Sequence, residues 1–199
     1  LVTALPKQAK GDLEGWLWAG AYEFSPDSSP VELFDQMVTR TVDYLEDQGV
    51  PKKQWEETLI RASIVEREVN RVEDMPKVAR VIENRISDPD GPTRGMLQMD
   101  STVTYCVGGT AGLPDSAAFA DDNPYNTYIV SGLPAGPIAT PSAEAIQADL
   151  APAEGDWLYF VTVNLTTGET IFTESHDELG ELTDQLIAWC EENPDECKR

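Results

Sequence analysis

The sequence predicts an α+β fold: helices packed with a small antiparallel sheet, and a long loop-rich segment between them that holds the candidate site. Three observations predict it. Apolar residues recur at helical spacing three times before residue 88, and a strand–turn–strand pattern occurs only after residue 156. No βαβ alternation or Gly-rich strand–turn–helix fingerprint is present, which removes dinucleotide and P-loop readings.

Residues 1–12 read as a linker and residues 13–192 as the domain, with 193–199 as a C-terminal tail. The aromatic-rich stretch Leu13 to Phe24 reads as extended. Ser28-Ser29-Pro30 starts a helix whose apolar stripe is Leu33, Phe34, Met37, Val38, Val42 and Leu45. Gly49 ends it and Pro51 prevents continuation. A second helix runs from about Gln54 to Val69. A third starts at Asp74-Met75-Pro76 and carries Val78, Val81, Ile82 and Ile86 on one face. From Asp88 to Pro141 periodicity fades and Pro, Gly and tyrosines mix. Loops that long in a compact domain are functional or disordered. Ser142 to Leu150 reads as a short helix with alanines on its buried side. Trp157 to Val163 and Glu169 to Thr173 form a hairpin around Asn164 to Gly168, and a last helix spans Asp177 to Glu192.

Composition excludes several functions. With 36 acidic against 14 basic residues and a net charge of −22, the chain has no footprint for nucleic acid or for a polybasic membrane patch. The charge reads mainly as a solubility device. No run of about 18 apolar residues occurs, so nothing here reads as a membrane span. Leu1 opens directly in linker-like sequence without a signal peptide, which points to an upstream segment. His176 is the only histidine, and Cys106, Cys190 and Cys197 fit no zinc spacing, so no metal site is expected. Cys190 and Cys197 lie close enough in sequence to bridge in an oxidising compartment, but spacing alone does not fix their Cα separation.

The chemistry-bearing residue is read from a helical wheel. At about 100° per residue, Ile64, Val65, Glu68, Val69 and Val72 share a broad stripe, while Glu66 lies about 200° from Glu68 beside Asn70. A carboxyl among aliphatics has its charged form disfavoured and can donate a proton near neutral pH. The structural alternative is that Glu68 reaches solvent or pairs with Arg61 or Arg71, and the wheel alone does not decide. Two polar clusters in the loop region offer partners: Gln98, Asp100, Ser101, Thr102 and Tyr105, then Asn123 to Tyr128. Amide, hydroxyl and aromatic groups together suit a sugar, although Asx turns and a buried tyrosine explain the same residues. Gly132 to Ile138 reads as a rigid apolar wall. His176 reads as surface or packing, and without a G-x-S-x-G elbow a serine triad is not expected.

In this order the residues resemble a known family. Ala62-Ser63-Ile64-Val65-Glu66-Arg67-Glu68 is similar to its A-S-I-V-E-x-E signature, and Ile82-Glu83-Asn84-Arg85-Ile86 to its N-R-L element. Met96 to Tyr105 resembles G-M-x-L-Q-T-D-P-T-V-x-Y. Pro124 to Tyr128, Gly132 to Pro141, Tyr159 to Val161, and Leu13 to Leu17 with Tyr22 also match in place. The chain thereby resembles the endolytic murein transglycosylases (MltG, or YceG-like) over roughly residues 13 to 190. Ser101 stands where that family usually has Pro. Its closing E-H element appears here as Glu178-Leu179, so His176 is not the equivalent histidine.

The resemblance implies a single-pass envelope enzyme with its catalytic domain outside the membrane. Its membrane helix and LysM-like portion lie outside this sequence. It would cut nascent peptidoglycan strands internally, without a cofactor, and possible partners are cell-wall synthases. It implies Glu68 as the acid/base residue. From the polar clusters, Gln98, Thr102, Tyr125 and Asn126 are expected as substrate contacts, with Glu66, Asp100 and Tyr128 in support. An ordinary glycosidase needs two carboxyls, whereas a lytic transglycosylase closes a 1,6-anhydro ring with the substrate's own hydroxyl and needs one. The alternatives are a non-catalytic glycan-binding module of a synthesis complex and a pyridoxal-phosphate lyase, a label that relatives of the family have carried. The lyase requires a Schiff-base lysine, and Lys7, Lys10, Lys52, Lys53, Lys77 and Lys198 sit in termini or on helix edges.

Overall fold

The structure, a computed structural model, describes residues 2–23, 25–108 and 116–197. Phe24, Lys198 and the 109–115 part of the loop region lie outside the described residues. The first helix, α1 (Pro30–Asp47), has Ser29 at its N-cap in a full capping box: Ser29 accepts from the Glu32 N–H and Glu32 accepts from the Ser29 N–H. Gly49, at φ +71°, ends it in the left-handed region. Its stripe buries Val38 and Leu45, and Thr41 on the same face donates to the Trp16 carbonyl at 2.8 Å.

The second helix, α2 (Trp55–Glu68), is the centre of the molecule. Trp55, Leu59, Ile60, Ala62, Ile64 and Val65 are all buried in one core with residues of the neighbouring helices. The helix stops at Glu68, because Val69 is already extended at φ −138° and ψ 146°. The stripe read through Val72 therefore ends early: Val69 is buried from a different backbone geometry, and Val72 is 55% exposed. The third helix, α3 (Met75–Ser87), buries Val78, Val81 and Ile82 as expected, but Asp74 does not cap it. The buried Asp74 carboxylate instead takes Lys77 at 2.9 Å.

A fourth helix, α4 (Asp100–Cys106), lies inside the segment read as loop. The fifth, α5 (Ala143–Leu150), is capped by Ser142 and buries Ala145, Ile146 and Ala148 between α2 and α3. Strands β1 (Tyr159–Asn164) and β2 (Glu169–Thr173) form the antiparallel hairpin, and the last helix, α6 (His176–Glu192), packs on β1. Helices with one small antiparallel sheet make the fold α+β. Among the described residues no helix is long and apolar enough to cross a membrane.

Two readings near the N-terminus change, and the cysteine pairing left open by the sequence is settled near the C-terminus. Residues 2–12 are not a free linker: Ala9 is buried, and Asp35 accepts from the Ala4 N–H at 2.7 Å and the Thr3 hydroxyl at 3.1 Å. Residues 14–16 turn where an extended segment was expected, and residues 13–23 pair in no strand, with Trp16 fully buried against Trp55. Cys190 and Cys197 form a disulfide with Cα atoms 5.6 Å apart, tying the tail back onto α6.

Gly15 joins the N-terminal turn to the 132–138 wall. It sits at φ +78°, and a Cβ there would lie 2.5 Å from the Pro137 Cβ. Gly15→Ala combines backbone strain with this clash and is expected to lower stability by about 2 kcal/mol. A urea melt with an unchanged midpoint would show that the wall is free to move.

Candidate active site

Glu68 closes α2 where that helix meets a cleft of about 480 Å³. The cleft is walled by Arg85 of α3, by Gln98, Met99 and Asp100 at the start of α4, by Tyr128, by Tyr159 and Phe160 of β1, and by His176 and Leu179 of α6. Five elements distant in sequence thus meet around one carboxyl.

The turn at Gln98 aims this wall. Gln98 adopts φ +50°, in the left-handed region that non-glycine residues rarely visit. It is held there by its own N–H on the Thr127 carbonyl at 3.0 Å and by the Met99 N–H on the Thr127 hydroxyl at 3.0 Å. The side chains of Gln98 and Asp100 then line the cleft. Ser101 donates to Glu68 Oε1 at 2.5 Å, and Tyr128 donates to Asp100 Oδ1 at 2.6 Å.

Burial pushes the Glu68 carboxyl above the usual carboxylate range. The Ser101 hydroxyl opposes this, the Asp100 charge adds to it, and the Ser101 N–H and Arg85 oppose it more weakly. Removal from water is the largest influence and the net direction is upward. The C-terminal end of α2 acts in the same sense, because its free carbonyls disfavour an anion. Burial, followed by the bond to Asp100, likewise raises the Tyr128 hydroxyl. The alternative partners for Glu68 are engaged elsewhere: Arg61 pairs with Asp149 at 2.6 Å, and Arg71 with Glu73. A second hollow, of about 410 Å³ between α3 and α5, is lined by charges that pair with each other, Arg61 with Asp149 and Arg80 with Glu83.

The site residues expected from sequence divide. Glu68, Gln98, Asp100 and Tyr128 converge on the cleft. Glu66 does not. Its carboxylate accepts from the Ser142 N–H at 3.0 Å and the Ser142 hydroxyl at 2.5 Å, fastening the start of α5.

The substrate-contact readings of Thr102 and Asn126 are corrected, because both are fully buried. The Thr102 hydroxyl bonds the Met99 carbonyl and the Thr127 hydroxyl. The Asn126 amide donates to the carbonyls of Ala118, Phe119 and Asp121 and accepts from the Tyr128 N–H. Tyr125 also misses the cleft. Its ring packs on Tyr105 at 5.0 Å, and its hydroxyl lies against Gly136.

Several cleft residues were not assigned to the site from sequence: Arg85, Tyr159 and Phe160 stood only within motifs, and His176 was weighed and read as surface or packing. Arg85 is 6% exposed; its guanidinium donates to the Leu158 carbonyl at 2.6 Å and to the Leu97 carbonyl. A charge on the apolar face of α3, three residues after Ile82, was the available signal. Tyr159, Phe160 and His176 reach the site only because the hairpin and α6 fold over it, and His176 stands edge-on to Tyr159 at 5.7 Å.

A family model described as the YceG-like family matches residues 3–185. A Bacillus subtilis protein named "Endolytic murein transglycosylase" is 32% identical over 92% of this chain and 50% of its own length. A Streptococcus pneumoniae protein of the same name is 29% identical over 89% of this chain and 33% of its own. The crystal structure of a YceG-like protein from Listeria monocytogenes superposes with a TM-score of 0.74 at 31% identity, over 90% of this chain and 58% of that one. The chain thus spans between a third and a half of the length of the curated relatives it matches. With nearly its whole length matched in sequence and in fold, this chain belongs to the YceG-like family.

Proposed function

We propose that this chain is the catalytic portion of an endolytic lytic transglycosylase that cleaves the linkage between N-acetylmuramic acid and N-acetylglucosamine in nascent peptidoglycan. The observation that carries this reading is a half-buried carboxyl, Glu68, with raised proton affinity, in a cleft lined by amide, hydroxyl and aromatic side chains. The names of the relatives support the substrate class.

A carboxyl whose surroundings raise its proton affinity is the better donor to a glycosidic oxygen. Glu68 protonates the glycosidic oxygen, the bond from that oxygen to C1 of the muramyl sugar breaks, and positive charge develops on the ring. The C6 hydroxyl of the same sugar then attacks C1 and returns its proton to Glu68. The new C1–O6 bond forms the 1,6-anhydro ring, no water is consumed, and the acid is regenerated. Gln98 and Asp100 supply polar contacts to hydroxyls, and the half-buried Phe160 offers a flat face to the sugar C–H surface. The whole protein is expected to be membrane-anchored with this portion on the extracytoplasmic side, acting beside cell-wall synthases. The Cys190–Cys197 bond supports that placement, since cytosolic thiols would keep such a pair reduced.

Asp100 favours a second reading. It is another carboxylate in the same cleft, and a pair of carboxyls is what hydrolysis uses. Mass spectrometry of peptidoglycan strands incubated with this chain separates the readings. Internal cuts ending in 1,6-anhydro sugars are expected. Free reducing ends, each heavier by one water, would replace the proposal with hydrolysis. Strands retained but uncut would replace it with a binding module.

A further inference from the structure

We propose that Ser101 is a positioning residue for Glu68: its hydroxyl holds Oε1, assigns the transferable proton to Oε2, and keeps that oxygen turned to the cleft. This inference rests on the reading of Glu68 as the acid/base residue.

The geometry carries it. Ser101 Oγ donates to Glu68 Oε1 at 2.5 Å, across 33 residues of sequence, and this is the one side-chain hydrogen bond of Glu68 among the described residues. A carboxyl oxygen that is already accepting a hydroxyl proton is the poorer place for a second proton. Oε2 is not sealed in protein. Among the described residues Asp74 Oδ2 is the buried side-chain polar atom left without a partner, and Glu68 itself lines the cleft. The proton to be delivered therefore sits on the oxygen that substrate can approach, and rotation of the carboxyl that would exchange the two oxygens breaks the bond to Ser101.

The hydroxyl also works against the environment. The charged and titratable groups facing Glu68 are Asp100 of α4, Arg85 of α3, Tyr128 of the loop, Tyr159 of β1 and His176 of α6. Burial and Asp100 favour the protonated acid; Ser101 is the largest opposing influence, ahead of Arg85. A general acid and base that is used in both directions within one turnover needs its two forms close in energy. Burial alone would leave Glu68 a ready acid but, once ionised, one held at high cost. Ser101 lowers that cost by a hydrogen bond made to the charged form.

The test is the pH profile of kcat on glycan strands. Ser101→Ala leaves a good helix former in the first turn of α4, so folding is expected to survive. Activity of the wild type falls on the alkaline side as Glu68 loses its proton. Without the hydroxyl that loss moves to higher pH, and well along the falling limb the rate relative to the acid plateau rises by about tenfold, the weight of one hydrogen bond to a charged group. The plateau itself drops as the carboxyl loses its fixed orientation. The isosteric pair Ser101→Thr and Ser101→Val gives a second reading at equal bulk: Thr keeps the wild-type limb and Val shifts it. An unmoved limb in the Ala and Val variants, or a Thr variant that behaves like Val, overturns the proposal. If those variants keep the wild-type limb while Glu68→Gln is inactive, only the role of Ser101 falls. If Glu68→Gln turns over normally, the assignment of the acid falls first.

Discussion

Replacing Glu68 by Gln is expected to lower glycan cleavage by about 10²- to 10⁴-fold, the range that a positioned general acid supplies. The substitution keeps the shape of the side chain and an oxygen for the Ser101 hydroxyl, so the cleft stays intact and the loss falls on kcat rather than KM. A second effect runs the other way. The native carboxyl holds its proton to higher pH than the same group in the unfolded chain. Wild-type stability therefore falls as pH rises from the unfolded carboxyl range through the raised native value, because the native state binds more protons across that window. Gln carries no charge. The variant should be the more stable protein at pH 8, with the gap closing in acid. Paired urea melts at pH 8 and below pH 4 check this. A variant equally active, or no more stable at pH 8 than at pH 4 relative to wild type, contradicts an enclosed acid.

Asn126→Ala is expected to be the most damaging polar substitution for the fold, costing about 3 kcal/mol. One amide serves three backbone carbonyls, at 3.4 Å, 3.1 Å and 2.9 Å, while its oxygen accepts the Tyr128 N–H at 3.0 Å. Ala removes these bonds from the Phe119 carbonyl and the Tyr128 N–H inside the loop, and leaves the Ala118 and Asp121 carbonyls only the N–H groups of Asp121 and Asn123. Asn126→Asp keeps the acceptor for Tyr128 but sets an anion against the three carbonyls, so it is expected to be no better. A thermal or urea midpoint close to wild type, together with weakened strand binding, would restore Asn126 as a sugar contact.

Much of this was legible residue by residue. The helix start at Ser29-Pro30 and the stripe of α3 depend on neighbours within four positions, and so does the placing of Glu68 and Glu66 on different faces of α2. Local sequence reports such relations directly. The misreadings share one cause. Thr102 and Asn126 are polar residues in a Pro- and Gly-rich segment, where exposure is the ordinary expectation. Both are buried because residues 98–102 and 118–128 close on each other through Thr127, a contact 25 residues long that no periodicity encodes. The seven residues of α4 are too few to show a stripe. Val72 was placed with Glu68 because a wheel assumes the helix continues, and Val69 breaks it.

The burial of α2 on almost every side has a bearing on how damage to this molecule would show itself. The reacting carboxyl rides on the tip of a rod gripped along its length by tryptophans and aliphatics, so it has no independent hinge with which to correct an error in its placement. A displacement of about 1 Å at the reacting group can cost a hundredfold in rate. Small repackings around Leu59 or Ile64, far from any sugar, should therefore appear as slow catalysis well before they appear as a lowered melting point.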